Sequence, residues 1–192
     1  MTSERITERS PRVIGRIAGV FYVVVFALGI FSLIVRGRVG FTAAMIAGGF
    51  YVAVTVLFYF IFRPVNRNLS LLAAVISLAG ILIGPLGQFV PFVRISPLVF
   101  FGCYCLLIAF LILKSNFLPR ILGVLLIFAG LGWLTFLSPS FATSFAPYIF
   151  LPGIIGEGAL TLWLVIFGVD EEQWRHKAGV VECNVVRSSR DC

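Results

Sequence analysis

The chain has 192 residues, of which 60% are hydrophobic and only 12% charged, with a mean hydropathy of +1.07. Soluble domains average about 45–50% apolar and about 25% charged residues, so the composition excludes a soluble domain and points to a single integral membrane domain. The net charge of +7 is spread over short segments between apolar runs. With no single basic face, the chain is not expected to take nucleic acid as a partner.

Residues 1–12, MTSERITERSPR, mix acids and bases before the first apolar run. That run is longer than a signal-peptide core and shows no small-x-small cleavage site, so it is expected to be a retained first membrane helix. Crossing the hydrocarbon core takes about 20 apolar residues. Six runs qualify: Val13 to Val35, Thr42 to Phe62, Leu69 to Val90, Ser96-Pro97 to Leu113, Pro119 to Leu137, and Tyr148 to Gly168. None alternates with the period of two that a membrane barrel strand needs. The expected architecture is therefore an all-α, six-helix transmembrane bundle, with an N-terminal segment 1–12, a membrane domain 13–169 and a polar tail 170–192.

Six spans put both termini on one side, and Lys and Arg select it. With the termini inside, the outer segments hold only Arg36, Arg38 and Arg94, and the other 12 of the 15 basic residues lie inside. The positive-inside bias then predicts cytoplasmic termini. The tail from Asp170 lacks apolar periodicity and is expected to be short and partly disordered, with Trp174 at the membrane surface and His176 solvated.

Of the eight acids, seven lie before residue 9 or after residue 169. Glu157 alone stands between them, inside the last apolar run. An acid at that depth is costly and marks a site by default. Counting helix rise from the outer ends, at ~1.5 Å per residue, puts Glu157 roughly 12 Å deep, level with Tyr104 and Tyr51. Either phenol could donate a hydrogen bond to the carboxyl group. No Lys, Arg or His is available at that level, so the low dielectric favours the neutral acid. Thr55, Cys103, Cys105 and Thr161 add weak polar groups. Gly156 and Gly158 flank the acid, and such small residues admit a close backbone or ligand. Pro152 marks the start of the span or a kink in it. The bland alternative is a hydrogen-bonded acid that serves only to pack helices. Gly15-x-x-x-Gly19 and Gly80-x-x-x-Gly84 are expected to pack helices within the bundle. Gln88 and Arg94 fall near the outer surface, and Arg63-Pro-Val-Asn-Arg-Asn reads as a basic inner turn facing phosphates.

The chain lacks G-x-S-x-G, H-E-x-x-H, a P-loop and any pair of intramembrane acids, so the sequence offers almost no support for an enzyme. Cys103 and Cys105, two apart on a helix, point to nearly opposite sides and cannot share a bridge or a metal. No cofactor is implied.

Four stretches carry a resemblance: RIAGVFYVVVFALGIF at 16–31, RPVNRNLSLLAA at 63–74, the run at 98–134 containing NFLPRILGVLL, and LPGIIGEGALTLWLVIFGV at 151–169. Together they resemble the bacterial membrane family described as domain of unknown function 4386. The resemblance implies a six-helix protein of the bacterial inner membrane and brings no established activity. It also implies two departures. Members often carry a His where this chain has Tyr104, and an Arg with a polar or acidic neighbour where it has Ser77 and Gly80. Any polar cluster the family shares is thus reduced here to Glu157. Three functions remain: binding or transport of a small molecule or lipid at Glu157, Tyr104 and Tyr51; service as a subunit for another membrane protein or a homo-oligomer; and a membrane enzyme, for which the residues offer almost no support. Membrane lipids are partners in each case.

Overall fold

The computed structural model describes residues 10–35, 37–89, 96–138, 140, 144 and 148–188. Arg36, Arg94, residues 1–9 and most of the loop from Pro139 to Pro147 lie outside them, as does the side chain of Gln88. The described chain is helical: α1 (Pro11–Ile34), α2 (Arg38–Phe62), α3 (Arg67–Phe89), α4 (Pro97–Ser115), α5 (Arg120–Leu134), α6 (Leu151–Ile166) and α7 (Glu171–Ser188). Single 3-10 turns at Thr135–Leu137 and Tyr148–Phe150 extend the facing ends of α5 and α6. Six of the helices are long and apolar enough to cross a membrane.

Local chemistry sets the helix starts. Pro11, Pro97 and Pro152 each occupy a first-turn position, where a missing N–H costs nothing. Ser96 accepts from the Leu98 N–H, and Asn66 accepts from the Leu69 N–H at the head of α3. Pro152 therefore marks a helix start and not a mid-span kink.

Each spanning helix packs on its successor, and α6 closes back onto α1, so the six form a ring. Large apolar side chains such as Ile34, Leu82, Ile121, Phe128 and Leu162 point outward and are exposed, as a lipid-facing surface requires. The seams between helices are made of small residues. A Cβ on Gly15 or Gly19 would lie 2.9 Å from the methyls of Val169 and Val165, so α1 and α6 meet at near-backbone contact. Gly102 of α4 and Gly130 of α5 sit against each other's carbonyls in the same way. Gly80 packs on Phe100, whereas Gly84 faces open space. The two glycine motifs thus serve packing, the second through one residue only.

The tail departs from expectation. It forms α7, laid on the end of the ring that carries the start of α1. The Asp170 carboxylate accepts from the Gln173 N–H, two glutamates occupy the first turn, and Arg175 pairs with Glu171 at 2.7 Å. These are polar helix signals, which a search for apolar periodicity passes over. Trp174 Nε1 donates to the Ile61 carbonyl at 2.8 Å, and Lys177 Nζ to the Lys114 carbonyl at 2.9 Å. Both carbonyls lie in last helical turns, where no intrahelical partner exists. Ser10 Oγ donates to Glu171, tying the start of α1 to α7.

The Ser10 hydroxyl, and after it Arg175, hold the Glu171 carboxyl below the usual carboxylate range. Its folded value is lower than its unfolded one. The stabilisation is therefore complete above the ordinary glutamate range, about 4.3, and is lost as pH falls through the folded value. Trp174 fluorescence, taken against a Trp174→Phe control, should stay constant from neutral pH down to about that range and change only below it. In Ser10→Ala the change should begin at higher pH.

Candidate functional site

Glu157 lies one turn below Gly153 on α6 and is 3% exposed. Trp133 Nε1 of α5 donates to Oε1 at 2.6 Å, and the Tyr22 hydroxyl of α1 donates to Oε2 at 3.0 Å. Glycine makes this geometry accessible. A Cβ at Gly153 would run into the Trp133 indole, and one at Gly156 would lie 2.6 Å from the Leu125 carbonyl. The small residues beside the acid admit one neighbouring side chain and one neighbouring backbone, both from α5.

The acid closes a circuit of contacts around the bundle. From Tyr22 the ring of Tyr51 lies 5.9 Å away and stacked; from Tyr51, Phe101 is 5.5 Å away edge-on; from Phe101, Trp133 is 5.6 Å away. Trp133 returns to Glu157. The circuit thus joins α6, α1, α2, α4 and α5. The α3 helix joins through Ser77, whose hydroxyl lies 2.7 Å from that of Thr55 on α2. Aromatic pairs of this kind add roughly 0.5–1.5 kcal/mol each beyond the area they bury.

Tyr51 and Tyr104 both belong to this layer, with ring centroids 6.0 Å apart. Neither hydrogen-bonds Glu157. The hydroxyls of Tyr51, Tyr104 and Thr161 are buried without a hydrogen-bond partner. Thr161 stands four residues after Glu157 and so shares its helix face. Tyr22 and Trp133, the two residues that do hold the acid, were not singled out by depth counting. A signal for Trp133 was present: a glycine four residues before a lone acid leaves a slot one turn away.

Two clefts open at opposite ends of the bundle, one beside Arg12 and Gly168 and one beside Ser32 and Gly40. Neither is lined by Glu157.

The model of the family described as "Domain of unknown function (DUF4386)" matches residues 92–168. An uncharacterized protein of Archaeoglobus fulgidus is 33% identical over 126 residues, 61% of this chain and 76% of that protein. The chain belongs to the DUF4386 family. No solved structure gives a significant match. The stretch matched by the family model carries Tyr104, Trp133 and Glu157, whereas Tyr22 and Tyr51 precede it. In this DUF4386 member the acid and its indole donor therefore come from the matched stretch, and the phenol donor comes from α1.

Replacing Trp133 by Phe leaves one buried carboxyl oxygen without its donor, which should cost about 1–3 kcal/mol. In the Glu157→Leu background, where Tyr22 has already lost its acceptor, the same Trp133→Phe change should cost much less, because no carboxyl oxygen is left to be stranded. Thermal unfolding in detergent, followed by helical ellipticity for the two single variants and the double, measures this coupling.

Proposed function

We propose that this DUF4386 protein is a binding protein of the cytoplasmic membrane that takes a small polar molecule among the side chains around Glu157, with Tyr104 and Tyr51 as contacts. One observation carries the reading. Tyr104 in the layer of the only acid of the spanning helices, and Thr161 one turn from that acid on α6, have buried hydroxyls without partners, and the Tyr51 hydroxyl has no well-formed bond beyond its approach to Ser77. A buried hydroxyl left unpaired costs about 1–3 kcal/mol. A polar guest that bonds to two or three of them recovers that cost, which gives the site its affinity. Glu157 then orients the guest through its neighbours or meets it directly after Tyr22 or Trp133 swings away.

A structure determined in a lipidic mesophase tests this. Density larger than single waters, within hydrogen-bond distance of the Tyr51 and Tyr104 hydroxyls and diminished in Glu157→Gln, is the expected result. If the hydroxyls instead bond to each other or to isolated waters, and Glu157→Gln leaves them undisturbed, the acid is a packing element. The reading as a partner subunit for another membrane protein then takes precedence.

On the same reading both termini lie in the cytoplasm, supported by 12 basic residues in the segments on that side against 3 on the other. Cys183 and Cys192 provide the assay, since the other two cysteines lie within α4. A membrane-impermeant maleimide should leave them unlabelled in intact cells and label them after lysis.

A further inference from the structure

At the end of the ring that carries α7, a cleft of about 360 Å³ opens between the start of α1, the α4–α5 turn and the end of α6. That volume falls within the range of small-ligand sites, about 300–1,000 Å³. Its chemistry is divided. Its polar lining includes Arg12, exposed and without a salt bridge among the described residues, and Asn116, exposed and held in the left-handed conformation at φ 62°. Its apolar lining includes Trp163 and Phe167, with ring centroids 4.4 Å apart and Phe167 53% exposed.

The position of Arg12 is built in. Gly168 has φ +71°, and a Cβ there would stand 2.7 Å from the Arg12 carbonyl and 3.1 Å from its Cγ. Only a glycine lets the chain leaving α6 lie along the arginine stem. One turn further along α1, Arg16 is tethered to the Ile166 carbonyl at 3.0 Å. Two acids lie nearby and keep their charge. Asp170 lines the cleft, its carboxylate oriented by the Gln173 N–H, and Glu171, bonded to Ser10 and Arg175, also attracts Arg12. Among the described residues Arg12 is the one cation that lines the cleft itself, and Arg16, Lys114 and Arg120, exposed on the adjoining helices, leave the surroundings net positive.

We infer that this cleft holds the phosphate of an anionic phospholipid, with its acyl chains running along Trp163 and Phe167. The cleft lies at the ends of the spanning segments, where a headgroup phosphate and the first methylenes of its chains occur together. A guanidinium binds phosphate oxygens through two parallel N–H donors, and the neighbouring aromatic pair offers an apolar bed at interfacial depth. A soluble phosphate would use Arg12 and Asn116 but would leave that bed empty.

Native mass spectrometry of the full chain in detergent decides the matter, with dioleoyl phosphatidylglycerol and dioleoyl phosphatidylcholine as probes. The parent should retain one phosphatidylglycerol in preference to phosphatidylcholine. Arg12→Gln should weaken that retention by about tenfold, the order expected for loss of one charge-assisted contact. Arg67→Gln, which removes a charge at the same end but away from the cleft, should leave it unchanged. Equal loss in both arginine variants would mean unspecific attraction and overturn the inference. So would displacement of the lipid by an equal concentration of inorganic phosphate, or equal retention of both lipids. Unchanged helical ellipticity in Arg12→Gln excludes misfolding as the cause of a loss.

Discussion

One carboxyl group held by an indole and a phenol organises the centre of this protein. Association of helices in a bilayer has no hydrophobic driving force between them, because lipid tails are as apolar as leucine. What remains is close packing and hydrogen bonding, and Glu157 concentrates the second. Its two oxygens reach α5 and α1, the neighbours of α6 on either side in the ring. The aromatic rings that continue from those donors carry the connection across to α2 and α4. Removing the acid therefore affects the ring's closure as well as one helix pair.

Packing and polarity are coupled through glycine. Gly153 and Gly156 bring α5 close enough for the indole of Trp133 to reach a carboxyl at 2.6 Å. Gly15 and Gly19 do the same for α1, which supplies Tyr22. A methyl group at any of these positions would push helices apart and lengthen hydrogen bonds that have no water to replace them. The opposite arrangement holds at the outer surface, where bulky aliphatic side chains face the bilayer.

The spans were legible in the sequence because the hydrocarbon thickness imposes a length that the runs from Val13 to Gly168 meet six times. The acid was legible because it is the only one in that interval. Its partners were less so. Counting residues from the outer ends places Tyr22 deeper than Glu157 and Trp133 shallower, and only the actual offset of the helices brings them level. Depth counting puts Tyr51 and Tyr104 level with Glu157, and in the fold their rings join the aromatic contacts while their hydroxyls make no hydrogen bond to the acid. The α7 helix escaped notice because its signals are polar: an Asp cap, acids in the first turn and an Arg four residues after a Glu.

The order of the ring also bears on how it is made. The span with the ionisable side chain is the last of the six to leave the ribosome. Tyr22 and Trp133 belong to α1 and α5, the two walls of the gap that this span fills, and both precede it in the chain. The acid therefore never waits for a donor still to be synthesised.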